Sequence, residues 1–284
     1  RYFEESLDQE ESLPSYLDRI VLSICDLQAL WKYCHDIGII LFSTPFDTKS
    51  FEVLEGLGCP LYKISSMDIV NLPLIRTVAR SRKPIVLSTG MASLGEVEAA
   101  VNACLEAKNA NIVLLHCVSS YPCAIEFANF PRIKRLADAF GVVVGFSDHT
   151  IEVETPALAC VAGARVIEKH VTLDKGLDGP DHHFSLDPPE MNSMIKLLRA
   201  TEKSMSGHPT DNSPVELVAK QNLRRSLYAA TDLNPGDMLT PEAVAIKSPG
   251  DGIPAKYFDV LVGRRLINHV EEDTPLSWDD LMGR

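Results

Sequence analysis

Two histidines, His149 and His170, stand in polar clusters at the ends of two apolar runs. The runs cover residues 142–146 and 165–171, and the clusters read Ser-Asp-His and Glu-Lys-His. A segment rich in small residues, 155–163, separates them and has the length of a crossover helix. If the runs are neighbouring parallel strands, both imidazoles emerge at one sheet edge, within reach of one ion. Imidazole nitrogens suit Mn, Fe, Co, Ni or Zn, so the spacing indicates a metal site.

The alternative is that both histidines are ordinary polar residues at strand ends. No third protein ligand is evident, so an ion would keep positions open to water or substrate, which favours a catalytic site over a structural one. A further polar cluster, residues 179–183, contains His182 and His183, and the pattern does not decide which of them faces the pocket.

A lysine and a series of hydroxyl residues stand at the ends of other apolar runs. Lys63 either extends to the rim of the fold or points at a bound anion. Each hydroxyl alone is explained by a turn or a helix N-cap. Together with Lys63 they resemble a cradle for a phosphate or carboxylate. The hydroxyl residues are Thr44, Ser65, Ser66, Ser88, Thr89, Ser119 and Ser147.

Three aspartates at similar positions, Asp68, Asp148 and Asp181, are candidates for acid–base or hydroxyl-orienting roles, with helix caps as the alternative. Tyr121 precedes Pro122 and on its own indicates a packed turn.

Six apolar runs alternate with helical patterns through the first 205 residues. Continuous apolar strands that alternate with helices predict a parallel sheet covered on both faces, with function at the C-terminal strand ends. The predicted strands are 39–42, 61–64, 84–87, 111–115, 142–146 and 165–171; the predicted helices are 14–37, 48–57, 72–82, 94–107, 130–140, 155–163 and 188–204. No phosphate-binding glycine motif of the nucleotide folds accompanies them.

The remainder of the chain differs in composition. Residues 206–221 are rich in Pro, Ser, Gly and Asn and predict a linker. Beyond it, short β-type runs at 226–230 and 243–247 alternate with turn signals, which indicates a small, mostly β domain over 222–284.

Composition excludes several classes of protein. The net charge of −12 argues against binding to nucleic acid or to an anionic membrane surface. No stretch approaches the ~20 apolar residues of a membrane span. Seven cysteines, an odd number without a CxxC pair, fit the reducing cytoplasm better than a disulfide framework.

The motifs, in this order, resemble the sialic acid synthase (N-acetylneuraminate synthase) family. They are STPFD (43–47), KISS (63–66), LSTGM (87–91), FSDHT (146–150), EKHVTLD (168–174) and GPDH (179–182). The tail resembles the family's C-terminal antifreeze-like (SAF) domain through RRSL (224–227), SPGDGI (248–253) and LVGR (261–264).

The resemblance implies a (β/α)8 TIM-type barrel over residues 1–205, joined to the SAF domain, in domain-swapped homodimers. The implied reaction condenses phosphoenolpyruvate with an open-chain N-acetyl hexosamine, typically N-acetylmannosamine, to a nonulosonic (sialic) acid and phosphate. A divalent ion, Mn²⁺ or Mg²⁺, held by His149 and His170 would polarise the sugar aldehyde.

Motif positions also imply the substrate contacts. Phosphoenolpyruvate would be held by Thr44, Lys63, Ser66, Ser88 and Ser147. The sugar or its hydroxyls would be contacted by Asp68, Tyr121 and Asp181.

Three departures from the family pattern stand out. Asp68 replaces a glutamate, and Ser248 replaces an arginine that reaches the N-acetyl sugar in many members. The chain also begins before the family's third strand, without an initiator Met, so we expect the barrel's first two strand–helix units to be absent. Those units carry a glutamate and a Lys-Phe-Gln motif in the family, so we expect this chain alone to have little synthase activity.

Three alternatives remain at this point. Relatives that make legionaminic acid, pseudaminic acid or spore-coat sugars share these motifs. A barrel remnant with a SAF module could instead bind carbohydrate or a partner without catalysis. An aldolase using Lys63 as a Schiff base is the third.

Overall fold

The computed structural model of the chain describes residues 21–207 and 213–281. The chain divides into two compact units between Ser206 and Gly207. In the first unit the strands are β1 (Tyr62–Ile64), β2 (Ile85–Ser88), β3 (Ile112–Cys117), β4 (Val143–Asp148) and β5 (Ile167–Lys169). The helices are α1 (Ile24–Asp36), α2 (Thr48–Gly56), α3 (Leu72–Ala79), α4 (Leu94–Glu106), α5 (Pro131–Phe140), α6 (Thr155–Val161) and α7 (Pro188–Met205).

The five strands form one parallel sheet in the order β1-β2-β3-β4-β5. Consecutive strands are connected by helices, as parallel pairing requires. Strand residues such as Ile64, Ile85 and Leu114 are fully buried and pack with the helices into one core. The predicted α/β class with a helix-covered parallel sheet is therefore confirmed.

The sheet is curled. Nζ of Lys63 on β1 lies 3.2 Å from the carboxylate of Glu168 on β5. Adjacent strands are about 4.8 Å apart, so a flat sheet would separate β1 and β5 by about 19 Å, beyond the combined reach of the two side chains. Only a sheet that closes towards a barrel brings them together.

Helix N-termini are specified locally. Asp47, Ser93 and Asp187 each form a capping box at the start of α2, α4 and α7. In each box the side chain accepts from the third helical backbone N–H, which satisfies a donor that the helix leaves open. These caps fix where each helix begins after a strand-end loop.

One prediction at the start of this unit is wrong, and another is confirmed only over Ile24–Asp36. The run 39–42 forms no described strand; only Ser43 bridges to Tyr62. Ile39 and Ile40 are 59% and 73% exposed, so no described residue covers the start of this run. The helix predicted over 14–37 begins at Ile24, because Ser23 caps it with a bond to the N–H of Asp26; residues 14–20 lie outside the described part.

The second unit contains α8 (Pro214–Leu223), β6 (Ser226–Ala229), β7 (Val244–Lys247) and the short α9 (Phe258–Leu261). β6 and β7 pair in antiparallel register around a separate core that includes Leu227 and Leu276. The linker predicted over 206–221 is wrong in part, because α8 occupies its second half. A capping box between Ser213 and Glu216 starts that helix.

All seven cysteines lie in the described part of the chain, and each is a free thiol. Within residues 21–207 and 213–281, no helix has both the length and the apolar character that a membrane span needs.

Gly145 of β4 is required by close packing against the chain leading into β5. A Cβ at this position would lie 2.4 Å from the carbonyl oxygen of Val166 and 2.6 Å from Cδ2 of Leu115. We therefore expect Gly145→Ala to lower the free energy of unfolding by about 2–3 kcal/mol, measured by urea denaturation. Gly95→Ala in α4, where nothing lies within 4 Å, is the matched control. An equal effect of both substitutions would contradict the packing argument.

Candidate active site

The C-terminal ends of the strands bring the predicted residues together. Side chains alternate along a strand, so Ser147 and His149 share one face at the end of β4. Glu168 and His170 do the same on β5. The two histidine rings lie 5.6 Å apart between centroids and are nearly perpendicular, at 79°.

His149 is oriented by a backbone hydrogen bond. Its Nδ1 lies 2.7 Å from the carbonyl oxygen of Val118. Because a carbonyl only accepts, Nδ1 carries the proton and the neutral ring presents its lone pair at Nε2. Ser147 Oγ lies 3.3 Å from that Nε2. Metal-binding histidines commonly donate their second nitrogen in this way.

His170 lies beside Asp181 and an aromatic wall. Its Nδ1 is 3.6 Å from Oδ2 of Asp181. The Tyr121 ring lies 4.1 Å from the His149 ring and 6.0 Å from the His170 ring, between centroids. The Phe184 ring packs 5.0 Å from His170. Tyr121, predicted as a sugar contact or a packed turn, therefore lies beside both histidines and packs more closely on His149.

Burial keeps both histidines neutral. Desolvation lowers the pKa of His149 and of His170 below the ordinary histidine value, although nearby carboxylates act in the opposite direction. Neutral imidazole is the form that binds a metal. In the described part of the chain no group of three or more His, Cys, Asp or Glu is arranged to hold an ion. The pair fits an ion that keeps its other positions open.

The same burial predicts how stability depends on pH. His116 is also buried, and desolvation lowers its pKa as well. The unfolded chain therefore takes up more protons than the folded one as pH falls below about 6.5. Without metal, we expect the free energy of unfolding to be highest above that pH. As the pH falls from there towards the lowered pKa values, the free energy of unfolding should decrease by at most about 1.4 kcal/mol per pH unit for each histidine.

Urea denaturation at pH 7.5 and 5.5 in a chelator measures this slope. His116→Gln is expected to reduce it. A slope that His116→Gln does not alter would contradict the assignment.

A cation and a carboxylate face each other beside the histidines. Lys63 pairs with Glu168 at 3.2 Å, and Ser147 Oγ donates to Glu168 Oε1 at 2.6 Å. Lys63 is only 12% exposed, so it points inward rather than to the rim. The sequence assigned no role to Glu168; its alternation with His170 on one strand face was the available signal.

The hydroxyl of Ser66 lies in a compact group of donors. It accepts from the N–H of Gly90 at 3.1 Å and lies 3.2 Å from Sγ of Cys117. A Cβ at Gly90 would lie 2.5 Å from Ser119 Oγ and 2.8 Å from Ser66 Oγ. Any side chain larger than that of glycine at this position would therefore have to displace these two hydroxyls.

The remaining predicted residues are less closely connected. Ser88 is buried at the end of β2, and Thr44 is half-buried after the unpaired run. Asp68 makes local bonds, accepting from Ser65 Oγ at 2.8 Å and from Asn71 at 3.3 Å. Ser248 Oγ donates to the carbonyl of Leu223 within the second unit. Their predicted contacts with substrate stay predictions.

The arrangement agrees with comparison to known proteins. The chain is 39% identical to pseudaminic acid synthase of Helicobacter pylori, over 89% of this chain and 74% of that protein. It is 36% identical to N,N'-diacetyllegionaminic acid synthase of Campylobacter jejuni, over 93% and 80%. The crystal structure of N-acetylneuraminic acid (sialic acid) synthetase from Leptospira borgpetersenii, in complex with citrate, superposes with a TM-score of 0.70 at 31% identity, over 76% and 75%.

Two family models match the chain and correspond to its two units. The NeuB family model matches residues 1–210, and the SAF domain model matches residues 224–282. The resemblance of the strand-end motifs is thereby confirmed: the chain belongs to the NeuB family of sugar acid synthases and carries a C-terminal SAF domain.

Proposed function

We propose that the barrel unit binds phosphoenolpyruvate and an open-chain acetamido sugar, and condenses them to a nonulosonic acid with release of phosphate. One observation carries the proposal: a buried cation, several hydroxyls and two neutral imidazoles converge at one end of the sheet. Positive and neutral donors suit an anionic substrate, and paired imidazoles suit a divalent ion.

The anionic substrate is assigned to Lys63, Ser66, Ser88, Ser147 and Thr44. Lys63 is buried and close to β5, so its ammonium would face a phosphate or carboxylate with little competition from water. The Ser66 hydroxyl is held by the Gly90 N–H and can turn its own proton towards an oxygen of the ligand. Its pairing with Glu168 makes Lys63 a charge partner here, rather than a Schiff-base amine.

The sugar is assigned to the histidine side of the site. Mn²⁺ or Mg²⁺ bound by His149 and His170 would act as a Lewis acid on the aldehyde oxygen. Asp181 and Tyr121 lie beside these rings, in reach of sugar hydroxyls. In the condensation, C3 of phosphoenolpyruvate attacks the aldehyde carbon, water adds at C2, and phosphate leaves from C2.

The acetamido sugar is N-acetylmannosamine or a related compound. Relatives bear the names pseudaminic acid synthase, N,N'-diacetyllegionaminic acid synthase, spore coat polysaccharide biosynthesis protein and N-acetylneuraminate-9-phosphate synthase. Because little turnover is expected of this chain alone, calorimetric titration with mono- and diacetamido sugars distinguishes these substrates by their affinities.

A homodimer is part of this proposal. Helix α8 exposes Val215, Leu217, Val218 and Leu223, an apolar surface typical of subunit contacts. Light scattering measures the molar mass of the protein in solution, which for a homodimer is twice that of the 284-residue chain.

The substitution Gly90→Ala tests the anion site. The added methyl group would clash with Ser66 Oγ and Ser119 Oγ and displace these hydroxyls, so we expect phosphoenolpyruvate to bind about 10-fold more weakly or worse, with Mn²⁺ affinity unchanged. Calorimetric titration of the 284-residue chain measures both affinities.

Gly95→Ala is the control, because its added methyl group meets open space. The proposed site would be contradicted if Gly90→Ala bound phosphoenolpyruvate as tightly as the wild type does. It would also be contradicted if the wild-type chain, with Mn²⁺ present, did not bind phosphoenolpyruvate.

A further inference from the structure

We propose that Asp148 and Lys169 are positioning residues, forming a buried ion pair that sets the separation of His149 and His170. The inference rests on the proposed metal-assisted function. Neither residue touches the proposed ion; both would act through the backbone that carries its ligands.

The pair occupies the last rung shared by two strands. Asp148 and Lys169 are partners in the parallel register of β4 and β5. Nζ of Lys169 lies 2.7 Å from Oδ2 of Asp148, and the two side chains are 2% and 0% exposed. The histidines follow immediately, at the next position of each strand. Because side chains alternate, the pair lies on the face opposite the imidazoles.

Lys169 uses its whole donor capacity here. An ammonium has three N–H donors. One bonds Asp148, and the others bond the carbonyl oxygens of Thr150 and of Glu152, the latter at 3.4 Å. The end of β5 is therefore bonded to the last residue of β4 and, at two points, to the loop that follows it.

Asp148 fixes the same loop from its own side. Its Oδ1 accepts from the N–H of Thr150 at 2.9 Å, which spans the His149 residue. The carbonyl of His149 accepts from the N–H of Cys123 at 2.8 Å. With Nδ1 bound to Val118, His149 has little freedom except through movement of this loop.

The consequence concerns metal binding. Two imidazoles bind one ion only if both lone pairs point at it. Among the described residues no third protein ligand is arranged to hold the ion if one of the rings moves. A break in the Asp148–Lys169 link would let β4 and β5 separate at their ends. Loss of metal affinity should then exceed what loss of stability alone explains.

Titration of the chain with MnCl2, following free Mn²⁺ by electron paramagnetic resonance, tests the inference. We expect Lys169→Met to weaken Mn²⁺ binding about 10–100-fold, the range typical of outer partners of metal ligands. Lys83→Met is the matched control, since Lys83 pairs with Glu55 at 2.8 Å near the opposite end of the strands. Its Mn²⁺ affinity should equal that of the wild type.

A double variant separates positioning from stability. Lys169→Met leaves Asp148 buried and unpaired, and the chain is expected to melt at a lower temperature. Asp148→Asn/Lys169→Met buries no charge and should recover much of the melting temperature of the metal-free chain. Because the loop carbonyls remain unfastened, its Mn²⁺ affinity should stay about as low as in Lys169→Met.

The outcomes are distinct. Mn²⁺ affinity that recovers together with melting temperature in the double variant would overturn the positioning role. Wild-type affinity in a folded Lys169→Met variant would overturn it also. If His149→Ala binds Mn²⁺ as tightly as the wild type, the proposed metal site itself fails; if His149→Ala loses binding and the Lys169 variants keep it, only this inference fails.

Discussion

Replacing His149 with alanine is expected to weaken Mn²⁺ binding by about 100-fold or more, because the site offers two protein nitrogens and loses one. The Val118 carbonyl holds Nδ1 of the ring, which leaves the lone pair of Nε2 for the ion, and the alanine side chain has no nitrogen to replace it. Free Mn²⁺ measured by electron paramagnetic resonance at pH 7.5 gives the affinity. The rise in melting temperature that excess Mn²⁺ produces in the wild type should disappear in the variant.

The pH dependence and a nearby histidine provide the checks. Since the pKa of each histidine is lowered, wild-type Mn²⁺ affinity should be nearly constant from pH 8 to about 6.5 and should fall at lower pH. His183 lies in the loop after β5, is exposed, and packs on Phe184. His183→Ala should bind Mn²⁺ normally. Equal losses in His149→Ala and His183→Ala would place the ion elsewhere.

The histidine pair could be predicted because its geometry is nearly local. One crossover helix separates β4 and β5, and parallel strands joined this way are usually neighbours. The position of each residue at a strand end then determines which face its side chain occupies. His149 and His170 were predicted from their positions at the ends of neighbouring strands, and alternation explains why Ser147 shares a face with His149. The same rule, applied to Asp148 and Lys169, predicts a second pair on the opposite face.

Other features depend on parts of the chain that are far apart. The contact of Lys63 with Glu168 joins residues 105 positions apart and exists only because the sheet curls. No local pattern encodes that curvature. The run 39–42 has the composition of a strand, but a strand also needs a neighbour whose backbone pairs with it, which composition does not specify. The helix α8 was hidden in a Pro- and Ser-rich segment whose Ser213 and Glu216 form a capping box.

Replacing Lys63 with methionine is expected to weaken phosphoenolpyruvate binding by about 100-fold, through two effects of the same sign. The variant loses a buried ammonium that would bond an anionic oxygen. It also leaves the Glu168 carboxylate without its cation, 2.6 Å from Ser147 Oγ, where it would repel the ligand. Calorimetric titration with phosphoenolpyruvate, in the presence of Mn²⁺, measures the loss.

Two further variants test the signs of these effects. Glu168→Gln removes the carboxylate alone, so phosphoenolpyruvate should bind at least as tightly as to the wild type. The double variant Lys63→Met/Glu168→Gln should bind more tightly than Lys63→Met, and the difference reports the coupling between the two residues. Lys83→Met removes another lysine–glutamate ion pair, away from the proposed anion site, and should leave affinity unchanged. An equal loss in Lys63→Met and Lys83→Met would mean that Lys63 supports the fold and does not contact the anion.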